Sequence, residues 1–138
     1  METKLDISWV TPEWPVPDRV RALTTTRQGG YSAQPYAGLN LGDHVGDNPE
    51  RVERNRALLA RRLRLPAEPQ WLRQVHGCAV LELPVPQSNC SADAAITRGP
   101  GRVCAVLTAD CLPLLMCDRA GSRVAAVHAG MPRWPMSQ

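Results

Sequence analysis

Phenylalanine is absent from this 138-residue chain, so Leu, Val, Ala and the four tryptophans must fill any core. The hydrophobic share of 43% suffices for one core, and the length allows no more than one domain. No apolar run approaches the ~20 residues of a membrane span. The polar start Met1-Glu-Thr-Lys-Leu-Asp lacks the pattern of a secretory signal. The expectation is a cytoplasmic protein without membrane partners. Neither a Cys-x-x-Cys pair nor a zinc-finger spacing occurs, which disfavours a small structural zinc knuckle. The five cysteines are odd in number and, in a reducing compartment, expected to be unpaired. The net charge of +3 is too small to argue for nucleic acid. Arg51, Arg54, Arg56, Arg61, Arg62 and Arg64 crowd one segment that reads as the solvated face of a helix.

What is present is mostly β-like. Residues 1–20 form an extended lead-in around Pro12, Pro15 and Pro17, with a short strand at Ile7–Val10. The alternating, β-branched run Val20–Thr26 reads as a strand. Arg27-Gln-Gly-Gly-Tyr-Ser follows as a tight turn; its glycines permit positive φ and leave backbone amides open to an anion. The spacing predicts a helix from about Pro49 to Leu63, capped by Asp47 or Asn48 and ended by Pro66. Its buried stripe is Val52, Leu58, Leu59 and Leu63, while Asn55 and Arg56 need partners. Strands are predicted near Gln70–Gln74, Ala79–Leu83, Ala94–Thr97, Val103–Leu107, Leu112–Cys117 and Arg123–Val127. A hairpin turn at Asp118-Arg-Ala-Gly-Ser joins the last two. The class is α+β, with the helix expected to cover one face of a mixed sheet.

His76, Cys111 and His128 each end an apolar, strand-like run. Separations of 35 and 17 residues match no local motif, so only the fold can bring them together. Two imidazoles and a thiolate would bind Zn²⁺ and keep one position for water or substrate. Asp110 is a candidate partner for a ligand histidine. Gln74 lies two residues before His76, on the same side of a strand. The same atoms allow a different chemistry: Cys111 as a thiolate nucleophile, His128 as base, and Asp110 or Asp93 orienting it. Arg27 beside Gly29 and Gly30 suits a phosphate or carboxylate. Asn40 and His44 share the next loop, where Asn40 can hydrogen-bond a ligand and His44 can serve as acid or base, beside plain turn roles. Cys78, Cys90, Cys104 and Cys117 read as small core or surface residues.

Taken together, Thr26-Arg-x-Gly-Gly-x-Ser, Leu39-Asn-Leu-Gly-x-His-Val-Gly-Asp, Trp71-Leu-x-Gln-Val-His-Gly, Ala92-Asp-Ala, Leu107-Thr-Ala-Asp-Cys-Leu-Pro and Ala125-Ala-Val-His-Ala-Gly resemble the YfiH family. That family is also called multicopper polyphenol oxidase (laccase-like), purine nucleoside phosphorylase, or peptidoglycan editing factor. The resemblance implies a layered α/β/β/α fold of mixed sheets with covering helices. It implies zinc on His76, Cys111 and His128. It also implies phosphorolysis of adenosine, inosine, guanosine and methylthioadenosine, with adenosine deamination; the partners would be a purine nucleoside and phosphate. Copper-dependent polyphenol oxidation and editing of cell-wall precursors are the alternatives it carries.

In the family, Val-His-Ala-Gly continues as Trp-Arg-Gly into a helix and a long C-terminal half. Here Gly130 is followed by Met-Pro-Arg-Trp-Pro-Met-Ser-Gln, and Pro132 and Pro135 do not suit that helix. Residues 1–130 therefore read as the N-terminal part of a single domain of this kind, with 131–138 a divergent tail. A shortened copy would expose an unpaired sheet edge and an apolar face. An inactive fragment is then the non-enzymatic alternative.

Overall fold

A computed structural model describes residues 4–86, 90–109 and 112–129. The chain divides into two compact units, Met1–Pro15 with Arg21–Pro66, and Val16–Val20 with Ala67–Gln138.

In the first unit, β1 (Trp9–Val10) pairs antiparallel with β2 (Thr24–Thr25). The Ser8 and Thr26 hydroxyls hydrogen-bond just beyond this ladder. Helix α1 (Pro49–Leu63) has the predicted bounds. Asn48 is its cap: the side-chain Oδ1 accepts from the Glu50 N–H at 2.9 Å. At the other end Arg64 turns left-handed at φ 50°, and the Leu65 N–H reaches back to the Ala60 carbonyl at 3.1 Å. That closure ends the helix before Pro66. Val52, Leu58 and Leu59 are buried, each worth roughly 1.5–3 kcal/mol. Leu63 is only half-buried, and the stripe includes Asn55 instead, fully enclosed.

Asn55 finds its partners in the 31–40 loop. Its Oδ1 accepts from the Tyr31 N–H at 2.7 Å, and its Nδ2 donates to Ser32 Oγ at 2.9 Å and to the Asn40 carbonyl at 2.8 Å. Gly30, at φ 84°, packs against this amide; a Cβ there would stand 2.8 Å from Asn55 Oδ1. Arg56, the other residue in need of a partner, donates to the Leu41 carbonyl at 2.9 Å.

The second unit is built on one mixed sheet, ordered β3 (Val80–Glu82), β4 (Ala94–Thr97), β6 (Val124–Ala129), β5 (Leu112–Cys117). The β3–β4 pair is parallel and the other two are antiparallel. Hairpin β5–β6 turns where predicted. The Asp118 carboxylate accepts from the Ser122 and Arg123 N–H groups at 2.7 and 3.2 Å, and from the Ser122 hydroxyl. Leu72, Leu83 and Ala95 form the core, with Leu81, Val85, Cys104 and Val106 packed against them. Ala95 faces Ala126 across β4 and β6, both buried.

Among the described residues the predicted strands at 70–74 and 103–107 do not form. Instead, the Gln70 and Gln74 side chains bridge to the backbone of Val85 and Leu107. Gln70 bonds Val85 through both ends of its carboxamide, Nε2 to the carbonyl at 2.6 Å and Oε1 from the N–H at 3.3 Å. Gln74 does the same to Leu107, at 2.8 and 2.6 Å. Only an isolated bridge, Arg73 with Ser91, remains of the first strand. The role expected of tryptophan also changes: among the described residues, Trp9 is exposed and Trp14 and Trp71 are only partly covered, so aliphatic residues make the core. The helix and the four-stranded sheet fall in different units, within the expected α+β class. No helix among the described residues is long and apolar enough to cross a membrane.

Candidate functional site

The register of β4 and β6 brings the candidate residues together. Ala94 pairs with Val127, so the next position sets Asp93 opposite His128, and the His128 N–H donates to the Asp93 carbonyl at 2.7 Å. Residues opposed in this way stand with side chains in reach of one another. His128 Nδ1 lies 2.8 Å from Asp93 Oδ2, with side chains 4% and 3% exposed. Alternation along β6 puts His128 on the same face as buried Ala126.

The same carboxylate organises the turn before β3. Val75 and Gly77 donate their N–H groups to Asp93 Oδ1, and His76 donates its own to Oδ2, all at 3.0 Å. His76 adopts φ 58°, a left-handed conformation unusual for a residue with a side chain. Successive amides pointing inward in such a turn make an anion cradle, here filled by Asp93. Burial pushes the Asp93 carboxyl upward, but His128 and the three amides outweigh it and leave it below the usual carboxylate range.

The His76 and His128 rings meet edge to face with centroids 5.0 Å apart. Two imidazoles each ~2 Å from one tetrahedral ion have centroids about 5 Å apart. The centroid separation matches that spacing. Among the described residues no three ligating side chains cluster. Cys111 and Asp110 lie outside the described residues. Leu112, next after Cys111, pairs with Ala129, next after His128.

The remaining candidates are placed as follows. Gln74 sits in this unit with its carboxamide held by Leu107. In the first unit, the Arg27 side chain is exposed and makes no ion pair among the described residues, while its carbonyl accepts from the Gly38 and Leu39 N–H groups at 3.2 and 3.1 Å. Gly29 and Gly30 have the expected positive φ, but the Gly30 amide is not open to an anion: it donates to the Lys4 carbonyl at 2.7 Å. Asn40 Nδ2 donates to Asp47 Oδ2 at 3.0 Å and its Oδ1 accepts from the Gly42 N–H at 3.1 Å. The Ser32 hydroxyl and Asn40 hold the Asp47 carboxyl below its ordinary range. His44 is exposed, 4.0 Å from Asp43. Cys78, Cys104 and Cys117 carry free thiols, and burial pushes the Cys104 thiol up to about 11, away from thiolate chemistry.

The residue that sequence reasoning undervalued is Asp93. Its signal was a lone carboxylate inside the small apolar run Ser91-Ala-Asp-Ala-Ala-Ile, which a buried strand tolerates only with partners.

The architecture and the motifs have known counterparts. A family model described as multi-copper polyphenol oxidoreductase laccase matches residues 21–133. The chain is 55% identical over 122 residues to the purine nucleoside phosphorylase YfiH of Shigella flexneri, covering 88% of this chain and 50% of that one. It is 54% identical over 123 residues to a purine nucleoside phosphorylase of Pseudomonas aeruginosa, covering 89% of this chain and 50% of the other. A crystal structure of a Neisseria meningitidis protein superposes with a TM-score of 0.79 at 46% identity, over 88% of this chain and 50% of that one. YlmD from Geobacillus stearothermophilus superposes with a TM-score of 0.76 at 31% identity, over 88% and 49%. The chain thus spans about half the length of these relatives.

Proposed function

The chain belongs to the multi-copper polyphenol oxidoreductase laccase family, and on that premise we propose that it serves purine nucleoside phosphorolysis at a zinc centre held by His76, Cys111 and His128. The observation that carries this reading is the His76–His128 pair, with rings 5.0 Å apart and one ring backed by a buried carboxylate. The names of the two relatives above support the substrate class. The substrates are adenosine, inosine, guanosine or methylthioadenosine, together with inorganic phosphate, in a cytoplasmic setting.

In phosphorolysis a phosphate oxygen bonds to the anomeric ribose carbon as the bond to the purine nitrogen breaks. The base leaves with the electron pair and takes up a proton. The exposed Arg27 guanidinium suits the phosphate. Asn40, Gln74 and His44 are the further substrate contacts in this reading, with His44 able to carry a proton. His76 and His128 would hold the metal by ring nitrogens and Cys111 by its thiolate. Zinc, when bound, supplies Lewis-acid charge and lowers the pKa of water, the chemistry that deamination of adenosine requires. Purified protein incubated with inosine and phosphate tests the proposal. The expected result is hypoxanthine well above a His76→Ala control, and equal yields from both would sink it. Arg27→Ala should raise KM for phosphate more than it lowers kcat.

The description of the family model favours a second reading, copper-dependent oxidation of phenols. Cys and His ligands bind copper, but three histidines in the chain are few for a multicopper cluster. Metal analysis separates the two: stoichiometric zinc with little copper favours the first, and bound copper with phenol oxidation favours the second.

A further inference from the structure

We propose that Asp93 is the positioning residue of this site, one carboxylate that sets both the tautomer of His128 and the backbone turn carrying His76. The inference rests on the zinc reading for its functional meaning, but its geometry stands alone. Four donors converge on Asp93: His128 Nδ1 at 2.8 Å and the N–H groups of Val75, His76 and Gly77 at 3.0 Å. An ionised carboxylate offers about four lone-pair sites. All are taken, so Asp93 has none left for a metal ion or a substrate proton. It acts through the two histidines.

Its effect on each differs. On His128 the carboxylate accepts a proton-bearing nitrogen, which fixes the Nδ1–H tautomer and leaves the Nε2 lone pair as the ligand. On His76 it acts through the main chain. A left-handed conformation is sterically unfavourable for a residue with a side chain, and three amide bonds to a charged acceptor offset it. The two ligand segments, 52 residues apart in sequence, are thereby tied to one anchor on the β4 side of the register.

Asp93→Asn separates positioning from mere packing because it keeps the shape and changes one atom. The amide oxygen can still accept from Val75 and Gly77. The new NH₂ then faces His76 N–H and His128 Nδ1, and only a His128 with a bare Nδ1 satisfies it. The tautomer flips to Nε2–H, and the ligand lone pair is lost. Nitrogen-15 long-range NMR of the imidazoles in metal-free protein reads this directly, and a Co²⁺ titration followed by visible absorption reads its consequence. The expected results are Nδ1–H at His128 in the unsubstituted chain, Nε2–H in Asp93→Asn, and cobalt affinity about 10–100-fold weaker in the variant. An Nε2–H tautomer in the unsubstituted chain overturns the proposal whether or not the variant folds. So does a variant that keeps both the tautomer and the cobalt affinity. Failure of the unsubstituted chain to bind cobalt overturns the zinc reading instead, and the tautomer alone then decides the role of Asp93.

Discussion

Asp93 Oδ2, just before β4, and His128 Nδ1 on β6 stand 2.8 Å apart, both side chains almost wholly buried. The pair is local to neither residue in sequence. It holds a carboxylate in the interior only because three backbone amides share it. Asp93→Ala should therefore cost more than an ordinary buried substitution, about 2–4 kcal/mol, because several donors lose their acceptor at once. Urea unfolding measures it; a loss under 1 kcal/mol would mean that water replaces the carboxylate freely.

Asn55 is the corresponding anchor of the first unit. It accepts once and donates to Ser32, Gly38 and Asn40. Asn55→Ala should destabilise by about 2–4 kcal/mol. Asn55→Asp should be at least as harmful at neutral pH, since a carboxylate would face the Gly38 and Asn40 carbonyls without a proton to donate. A mild Asp variant would contradict the hydrogen-bond assignment.

The ends of α1 give effects of opposite sign. Asn48→Ala removes the cap and should lower stability by about 1 kcal/mol. Arg64→Gly should raise it by about 0.5–1 kcal/mol, because Arg64 holds φ 50° where glycine pays no steric penalty. Thermal melts of the two variants should move in opposite directions.

Acid sensitivity follows from Asp47 and Asp118. Ser32 and Asn40 hold the Asp47 carboxyl below its ordinary value of 3.8, and Ser122 and nearby amides do the same for Asp118. A depressed folded-state pKa contributes stability above the unfolded value, and that contribution is lost as pH falls through the folded one. The Tm should be flat on this account from pH 7 to 5 and fall below about pH 4. Replacing both residues by Asn should lower the plateau and flatten the acid limb. An unchanged slope would rule these carboxylates out as its source.

Strand β5 is an edge of the sheet among the described residues, and its alternate residues Leu112, Leu114 and Met116 are 64%, 42% and 56% exposed. An apolar edge of this kind invites self-association. Leu114→Lys with Met116→Lys should reduce association in sedimentation velocity while changing stability little. Equal association in the double variant would place the sticky surface elsewhere.

Much of the fold was legible in short-range signals. The cap at Asn48, the stripe through Val52, Leu58 and Leu59, and the stop before Pro66 lie within a turn or two of one another, so α1 was readable to the residue. Strands β4 and β5 and the Asp118 turn were readable for the same reason, with alternation and turn chemistry both local. Residues 70–74 and 103–107 carried the same strand-like alternation, yet no ladder forms there among the described residues; the Gln74 side chain bonds the Leu107 backbone, a pairing across 33 residues that no local pattern encodes.

The sequence by itself determined which residues have metal-ligand chemistry, His76 and His128 among them, because that depends on side-chain type. Tertiary structure decided who holds them. The β4–β6 register put Asp93 across from His128, and the left-handed turn at His76 aimed three amides at the same carboxylate. Both are contacts between segments distant along the chain, and no periodicity within a segment encodes them.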